Sequence, residues 1–583
     1  MIDNNKVKPK HKQDVEKLYE IDGKWVIKYK KKLNGLLDRV RARWVLRGDK
    51  QRAHRDYDPH KLYSPVASRA ATASALIIAV QYSLNLYCID VSKAFTASSI
   101  DKPNVHMRVP DCLPTTHSDY APHGNDTTWE LLTTLYGLRQ ASSKYYEKFT
   151  NVLLAYTDPK GQSYKRSSHD PCVFTKGALG TDDYITFSVH VDDKFIACTT
   201  PAHADELITV LNNGGLVSNL EPMTKVLGYG VQYVKYDPHV LNSGKIVIDH
   251  SQYIEDAYNE FRPYFDDSSP IGLPMSDSAY KEFIAQPTPT FDRERYKLFR
   301  SILGKVAHCA NFTHPECSVS VSILSQHMMN PSELDLKLVF RVLRYLYNCV
   351  RTGKAVLTYV YNPAFNPSKP IPRHPIHLLC DADLSACTLT RRSRTGYACY
   401  LFGNLSAWGS KQQQSVALST AESEYVALSA CAKLGIWYRG LVIDMGVELA
   451  ITHSLVILSD SQSALNIARA PVGAISKYSK HIDRRLHWFR ELIQDGRLNV
   501  RFIEGGENIA DIFTKNLARP KFEKFRKSLL EGDFRDLSRF HSTCLTMYLT
   551  RASPYGYSMS IDCMCCDSSF TFLTTDMRAL LDS

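Results

Sequence analysis

Residues 184–197 read Tyr184-Ile185-Thr186-Phe187-Ser188-Val189-His190-Val191-Asp192-Asp193-Lys194-Phe195-Ile196-Ala197. Apolar residues alternate along the first half, two aspartates interrupt the pattern, and an apolar run resumes after them. This pattern predicts a β-hairpin with Asp192 and Asp193 at its turn. Adjacent carboxylates repel each other, and a divalent metal ion removes that repulsion. The pair therefore predicts a metal site if a further carboxylate lies nearby, whereas a solvated turn is the alternative for the pair alone.

A third carboxylate follows an earlier apolar strand, because Leu84–Asp90 is a short apolar run that ends on Asp90. A strand-end carboxylate close to a hairpin carboxylate can hold two Mg²⁺ ions roughly 3.5–4 Å apart. Mg²⁺ prefers oxygen ligands and keeps several waters, so a few carboxylates suffice, and Mn²⁺ is an alternative ion. The set Asp90, Asp192 and Asp193 thus predicts nucleotidyl transfer, in which one ion activates a primer hydroxyl and the other neutralises a triphosphate.

The charge of the chain is concentrated near its N-terminus. The chain carries 71 Lys and Arg against 60 Asp and Glu, and the first 60 residues hold 17 of the former and 9 of the latter. Arg41, Arg43 and Arg47 alternate along a predicted strand, so we expect them to share one face. A row of guanidinium groups suits a triphosphate or a nucleic-acid template. We interpret residues 1–24 as a basic tail and expect the stretch from Lys6 to Lys17 to be solvated.

Length and composition bound the class of protein. A chain of 583 residues predicts several domains, since single cores rarely exceed about 250–300 residues. The 15 cysteines are scattered through apolar runs, which indicates free thiols in a reducing compartment. The start is polar, and no apolar run approaches the ~20 residues of a membrane span. We therefore expect no membrane partner.

A second set of acids follows a proline-rich stretch at 361–375, which predicts an extended linker. From 376 onward the pattern predicts three strands, then a helix and a strand twice in alternation, and a final helix. Asp381, Glu424, Asp460 and Asp511 stand at strand ends or on helices that face them. Such a cluster is costly unless cations fill it. It predicts a second site with two metal ions, which would activate water for attack on phosphorus.

Several stretches of the chain carry a resemblance to a known family. They are Val40–Gly48, Tyr63–Ala67, Ile89–Phe95, Thr134–Ser142, His190–Asp193 and Arg341–Leu346. In this order they resemble the reverse transcriptase and ribonuclease H portion of the Pol polyprotein of copia-class long-terminal-repeat retrotransposons. The resemblance covers roughly 25–522.

The resemblance implies a fold and a function. The fold is an α+β and α/β combination, in which a right-hand polymerase with fingers, palm and thumb precedes a ribonuclease H-like α/β domain. The implied activity is RNA-directed DNA synthesis with ribonuclease H cleavage. The implied partners are an RNA template, a DNA primer, an RNA–DNA hybrid and deoxynucleoside triphosphates, together with element-encoded capsid and integrase. The implied location is a cytoplasmic virus-like particle, and the nucleus as well.

The resemblance also implies roles for residues of the polymerase part. The first aspartate of the hairpin faces the metal ions, so Asp192 should matter more than Asp193. Phe95 stands where an aromatic ring beneath the incoming sugar excludes a 2′-hydroxyl, although an ordinary core aromatic is the alternative. Gly137 and Gln140 lie in a motif that contacts nucleotide or template.

Two acidic positions in the nuclease part have close neighbours. Asp381 ends its strand and is preferred, and Asp383 stays open as the alternative. Glu424 is preferred to Glu422 because the family motif places Tyr425–Leu428 directly after the catalytic acid.

The predicted organisation is a succession of six segments. They are a basic tail at 1–24, fingers and palm at 25–265, a helical thumb or connection at 266–360, a linker at 361–375, a ribonuclease H-like domain at 376–530, and an unassigned tail at 531–583. The family usually has an aromatic residue where His190 stands, and a Ser-Pro pair where Ala141-Ser142 stands. These departures leave a degenerate, non-catalytic nucleic-acid-binding relic as the alternative function.

Overall fold

The structure is a computed structural model. It describes residues 6–16, 18–31, 37–110, 121–191, 193–241, 243–266, 271–366, 375–385, 387, 390–448, 454–470, 483–531, 546–553, 556–563 and 568–573. Residues Met1–Asp533 form one compact unit and Phe534–Ser583 form another. The second unit contains one antiparallel sheet of three strands.

The strands are, in chain order, β1 Val7–His11, β2 Glu20–Ile21, β3 Gly23–Lys31, β4 Leu37–Leu46, β5 Asn85–Val91, β6 His106–Arg108, β7 Thr127–Leu131, β8 Lys165–Arg166, β9 Val173–Lys176, β10 Ile185–His190, β11 Asp193–Cys198, β12 Ser218–Pro222, β13 Lys225–Val226, β14 Tyr229–Val234, β15 Lys245–Asp249, β16 Val356–Val360, β17 Ile376–Asp383, β18 Arg394–Leu401, β19 Asn404–Gln412, β20 Leu455–Ser459, β21 Leu498–Phe502, β22 Thr546–Ser553, β23 Gly556–Cys563 and β24 Ser568–Leu573. The helices are α1 Arg69–Gln81, α2 Ala141–Leu154, α3 Pro201–Asn213, α4 Ser251–Phe261, α5 Asp277–Ala285, α6 Arg293–Phe312, α7 Ser318–Leu324, α8 Glu333–Arg351, α9 Thr420–Asp444, α10 Gln462–Arg469, α11 Asp483–Gln494 and α12 Arg519–Glu531.

The N-terminal segment does not behave as a solvated tail throughout, which corrects the expectation for residues 1–24. Strand β1 pairs with β7 in a four-stranded sheet of order β1-β7-β6-β2. Val7 lies opposite Leu131 in this pairing, and both side chains are buried in one apolar cluster with Trp129. A single buried valine in a basic stretch was too weak a signal to predict this strand.

The predicted aspartate hairpin is present in a six-stranded sheet of order β12-β5-β11-β10-β9-β8. Strands β10 and β11 are antiparallel neighbours, and β5 lies on the other side of β11. Phe149, Phe174 and Phe187 pack together in the apolar core beneath this sheet. The core fixes strand register, because a one-residue slip would turn the buried face outward.

The predicted helical region after 266 contains helices α5 to α8. It ends on strand β16, which completes a sheet of order β13-β14-β15-β16. Three strands of that sheet precede the helices in the chain, so the region is tied back to residues 225–249 by backbone hydrogen bonds.

The last large sheet has the order β19-β18-β17-β20-β21. Its first three strands are antiparallel, and β20 runs parallel to both β17 and β21. Helix α9 packs across β17 and β18. These elements follow the predicted ribonuclease H-like order, except that two helices, α10 and α11, lie between β20 and β21 where one was predicted. The predicted fold class is confirmed.

The sheet with β17 also contacts elements from the first half of the chain. Arg69 of α1 lies with its guanidinium carbon 3.9 Å from the ring centre of Trp408. The hydroxyl oxygens of Ser74 and Tyr438 are 2.7 Å apart in the buried interface. Residues 367–374 of the predicted linker lie outside the described residues.

Among the described residues, one helix is long and apolar enough to cross a membrane by length and composition alone, and it is α9. Its faces pack on β17, β18 and β20 and on α10. Burial of Tyr425, Leu428 and Tyr438 within this packing accounts for its apolar composition.

Candidate active sites

The hairpin and the neighbouring strand place two of the first three predicted acids opposite each other. In the antiparallel pairing of β5 and β11, Asp90 is the direct partner of Asp193. Direct partners in such a pair have Cα atoms roughly 4.5–5.5 Å apart, and their side chains lie on the same face. Both residues are exposed, and they lie where these two inner strands of the sheet end. Like charges in this arrangement destabilise the pair unless a cation joins them.

The turn of the hairpin contains Val191 and Asp192, because His190 and Asp193 form the last pair of the ladder. Val191 has a φ of 58°, in the left-handed region that β-branched residues rarely adopt. Two-residue hairpin turns require such angles and usually contain Asn or Gly. A valine here stores backbone strain of the kind that clusters at functional sites. Asp192 itself lies outside the described residues.

Phe95 lies partly buried beside the same strand, four residues after β5 ends. Its ring meets the rings of Tyr136 and Tyr145 edge to face, with centroids 5.4 Å and 6.2 Å away. The guanidinium carbon of Arg43 stands 5.1 Å from the centre of the Tyr136 ring. The candidate sugar-gating ring is thus held by aromatic contacts and linked through Tyr136 to the basic strand β4.

Gly137 and Gln140 have structural contacts in this region. Gly137 has a φ of +92°, and a Cβ there would stand 2.0 Å from the carbonyl oxygen of Leu46. The side chain of Gln140 is 1% exposed, accepts a hydrogen bond from Gln51 and donates one to the carbonyl oxygen of Asp56. Direct contact of Gln140 with a nucleotide, which the motif implied, does not fit this burial. Both residues instead pack between the end of β4 and the start of α2.

Of the three arginines predicted to alternate along one strand, Arg47 lies beyond the strand. Strand β4 ends at Leu46, so Arg47 follows the strand and pairs with Asp49, with 2.7 Å between Nη2 and Oδ2. Arg43 lies on the strand, and the side chain of Arg41 lies outside the described residues. A cavity of about 720 Å³ opens beside Arg47, and its lining includes Lys24, Trp44, Arg47, Arg108 and Gly137.

Three of the four predicted nuclease acids converge. Asp381 on β17, Glu424 on α9 and Asp460 after β20 each offer an oxygen, and these oxygens lie within 4.8 Å of one another. The prediction that Asp381 ends its strand is wrong, because β17 continues to Asp383. Asp381 and Glu424 are 1% and 5% exposed. Between the two neighbouring aspartates of β17, the structure brings Asp381 into the group. One carboxylate oxygen of Glu424, Oε2, is buried without a hydrogen-bond partner among the described residues.

Burial and neighbouring charges raise the pKa values of two of these acids. Burial, followed by the charge of Asp511, raises the pKa of Asp381 to about 7. Burial, followed by the charges of Asp381 and Asp460, raises the pKa of Glu424 to about 9. Buried carboxylates lack water to solvate them, and each disfavours ionisation of the next. An all-oxygen set with an unpartnered buried oxygen fits a hard divalent cation such as Mg²⁺.

Asp511 has a different environment, and it lies on a 3₁₀ segment, Ile509–Phe513, rather than on the predicted helix. Burial alone would raise its pKa, but Lys515 and Lys521 outweigh burial and hold the pKa of Asp511 below its usual value. The Nζ atom of Lys515 is 2.9 Å from Oδ1 of Asp511 and 3.4 Å from Oδ2 of Asp381. The Nζ atom of Lys521 pairs with the other oxygen of Asp511.

Two polar side chains orient the acids. The amide of Asn508 donates hydrogen bonds of 3.0 Å to the carbonyl oxygen of Cys380 and to Oδ1 of Asp460. It thereby connects the ends of β17 and β20. The hydroxyl of Thr514 donates to Oδ2 of Asp381.

Comparison with known proteins shows what the chain is similar to. Residues 11–261 match the family model of the reverse transcriptase (RNA-dependent DNA polymerase). The chain is 28% identical over 504 residues to the retrovirus-related Pol polyprotein from transposon TNT 1-94 of Nicotiana tabacum, which covers 86% of this chain and 35% of that protein. It is 27% identical over 506 residues to the corresponding polyprotein from transposon RE1 of Arabidopsis thaliana, covering 87% and 31%. The chain is a relative of copia-class retrotransposon Pol polyproteins.

This Pol relative spans about a third of the length of the two plant polyproteins. Among solved structures, a foamy viral protease-reverse transcriptase in complex with dsDNA matches 82% of this chain and 77% of its own, with a TM-score of 0.38 and 12% identity. The reverse transcriptase match contains Asp90, Asp192 and Asp193, and the nuclease acids lie beyond it.

Sequence reasoning missed four polar residues around the nuclease acids of this Pol relative. They are Asn508, Thr514, Lys515 and Lys521. A signal existed for Lys515, because Asp511 and Lys515 have the i, i+4 spacing at which opposite charges pair on a helical segment. The other three reach their partners through tertiary packing, which spacing along the chain does not reveal.

Proposed function

We propose that the chain catalyses RNA-directed DNA synthesis and cleaves the RNA strand of RNA–DNA hybrids, at two separate sites. The observation that carries this proposal is the convergence of Asp381, Glu424 and Asp460 within 4.8 Å, in a chain whose reverse transcriptase segment pairs Asp90 with Asp193. The buried nuclease group is costly to assemble without cations, which supports metal-assisted phosphoryl transfer there. The direct pairing of Asp90 with Asp193 supports a similar role for metal ions in the reverse transcriptase segment.

At the polymerase site, Asp90, Asp192 and Asp193 would hold two Mg²⁺ or Mn²⁺ ions. Bound there, such ions would lower the pKa of a primer hydroxyl and stabilise charge on the transferred phosphoryl group. The chain itself supplies positioning. Arg43 and the cations lining the cavity beside Arg47 favour a triphosphate or a template backbone, and the Phe95 ring would select sugars that lack a 2′-hydroxyl.

At the nuclease site, Asp381, Glu424, Asp460 and Asp511 would hold the divalent ions. Such ions would supply an activated water and neutralise charge at the scissile phosphate. Asn508 holds the carboxylate of Asp460 toward β17, so the strand-end acids stay converged before any substrate binds. Burial of Asp381 and Glu424 excludes water from the cluster, which strengthens its interactions with a cation.

The substrates proposed are an RNA template with a DNA primer, deoxynucleoside triphosphates and RNA–DNA hybrid. Capsid and integrase of the same element are proposed as further partners. A cytoplasmic virus-like particle, and the nucleus, are the proposed locations.

Primer extension on an RNA template with Mg²⁺ tests the polymerase proposal. Asp193→Asn should slow extension by ~10²-fold or more, the scale of losing a positioned electrostatic contact. Asp182→Asn, an exposed aspartate before the same hairpin, is the matched control and should extend at the parental rate. Parental protein that binds primer–template without extending it would favour the non-catalytic relic instead.

Cleavage of a labelled hybrid tests the nuclease proposal. Asp460→Asn should abolish cleavage of the RNA strand while primer extension stays near the parental rate, because the two acidic groups belong to different sheets. Asp495→Asn, an exposed aspartate just before β21, is the control and should leave both activities intact. Loss of both activities in folded Asp460→Asn protein would contradict the assignment of two sites.

A further inference from the structure

The four nuclease acids are not equivalent in charge. Asp381, Glu424 and Asp460 converge in one group. Among the described residues, no lysine or arginine lies within ion-pair distance of Glu424 or Asp460, whereas Lys515 lies 3.4 Å from Asp381. Asp511 instead pairs with two ammonium groups, one on each carboxylate oxygen. The two lysines neutralise part of the negative charge of the four carboxylates. The cluster therefore attracts metal ions less strongly than four carboxylates without neighbouring lysines would.

Lys515 stands between the two halves of the cluster. Its Nζ atom is 2.9 Å from Asp511 Oδ1 and 3.4 Å from Asp381 Oδ2, so one ammonium bridges carboxylates from β17 and from the 3₁₀ segment. Asp381 and Asp511 are 1% and 3% exposed, and the Lys515 side chain is 41% exposed. The ammonium therefore caps a buried acidic pair from the solvent side, where a cation entering from solvent would have to stand.

A second divalent ion, roughly 3.5–4 Å from the first, would take its ligands from the remaining carboxylate oxygens of the cluster. The oxygens of Asp511 and Asp381 that Lys515 approaches are among them. An ammonium and a divalent ion cannot share these oxygens, since the two cations would repel each other.

We propose that Lys515 occupies the second-metal position of the nuclease cluster when nucleic acid is absent. The free chain then binds one divalent ion, held by Asp381, Glu424 and Asp460. A second ion binds only when the lysine leaves. This inference rests on the nuclease function proposed above and adds a residue that regulates the metal content of that site.

The test counts bound Mn²⁺ by electron paramagnetic resonance in the full chain without nucleic acid. The background carries Asp90→Asn, Asp192→Asn and Asp193→Asn, so that ions at the polymerase site are not counted. Lys515→Gln removes the bridging charge, and Lys515→Arg retains a cation. Lys524→Gln is the matched control, since Lys524 pairs with Glu507 at 2.6 Å rather than with one of the four acids.

The background protein, Lys515→Arg and Lys524→Gln should each bind one Mn²⁺. Lys515→Gln should bind two, with the second at least ~10²-fold tighter than in the background, because a unit charge within about 4 Å has been removed. Two ions roughly 3.5–4 Å apart are exchange-coupled, so the variant should also lose the six-line spectrum of an isolated ion. Lys515→Met serves the same purpose if the glutamine variant fails to fold.

The outcomes separate the inference from the proposed function. Two ions in the background protein, or one ion in both uncharged Lys515 variants, would overturn the role of Lys515 and leave the nuclease proposal standing. No ion in any variant would overturn the metal cluster itself, and the inference with it.

Discussion

Replacing Glu424 by glutamine tests how ionisation of this side chain affects the stability of the nuclease cluster. The side chain is 5% exposed, its Oε2 atom lacks a hydrogen-bond partner among the described residues, and Asp381 and Asp460 lie beside it. Burial and these two neighbours raise the pKa of Glu424 from 4.5 to about 9. Glutamine keeps the shape of the side chain and removes the titration.

The sign of the effect follows from proton linkage. The folded chain keeps a proton on Glu424 that the unfolded chain releases, so its contribution to stability is complete below pH 4.5 and is lost as the pH rises toward 9. Each pH unit within that window costs about 1.4 kcal/mol for one proton. Between pH 6 and pH 8 the free energy of unfolding of the metal-free parent should therefore fall by about 3 kcal/mol relative to Glu424→Gln.

Native-state hydrogen exchange of helix α9 in EDTA measures the free energy of unfolding. The parent and the variant are compared at the same pH, so effects of pH on exchange itself cancel. Glu422→Gln, on the same helix but outside the cluster, is the matched control. Mg²⁺ at a hundred times its dissociation constant should raise the free energy of unfolding of the parent by about 2.7 kcal/mol. The same concentration should leave the free energy of unfolding of Glu424→Gln nearly unchanged. A parent-to-variant difference that stays constant from pH 6 to pH 8 would refute the reasoning.

Three further predictions concern the polymerase part. Asp192→Asn should slow primer extension by ~10²-fold or more, and more than Asp193→Asn, and an unchanged rate in purified protein would exclude Asp192 from the site. Phe95→Val should admit ribonucleotides with little loss of deoxynucleotide use, as measured by single-nucleotide incorporation; equal discrimination would return Phe95 to the core. Gly137→Ala should lower the melting temperature, because its Cβ would meet a backbone oxygen at 2.0 Å, whereas Gly161→Ala, also at positive φ but in open space, should cost much less.

Patterns within single elements predicted most of the strands that carry the acids. The alternation in 184–197 led to the hairpin of β10 and β11, and the apolar runs before Asp90, Asp381 and Asp460 led to β5, β17 and the end of β20. These predictions worked because strand periodicity and strand ends are local properties of the chain. The strand at Val7–His11 was not predicted, because it is defined by pairing with a strand more than a hundred residues away.

The candidate sites depend on information that is not local. Gln140 was predicted to contact nucleotide or template, yet it is enclosed by Gln51 and Asp56. Arg47 was predicted on a strand, yet it follows the end of β4, pairs with Asp49 and lines a cavity. Which aspartate of β17 joins Glu424 was open in the sequence, and the packing of α9 on the sheet brings Asp381 to it.

The sequence by itself determined that this chain has two acidic groups on strand-rich elements, in the order of a reverse transcriptase followed by a ribonuclease H-like sheet. Residue type and spacing suffice for the two acidic groups, because carboxylates at strand ends are visible along the chain, whereas the resemblance to copia-class Pol polyproteins implied the identity and order of the two parts. Only the tertiary structure decided that Asp193 faces Asp90, that Asp511 is neutralised by Lys515 and Lys521, and that Asn508 holds Asp460. The charge of a carboxylate cluster depends on distances of a few ångströms between residues that are far apart in sequence, and the packing of the sheets sets those distances.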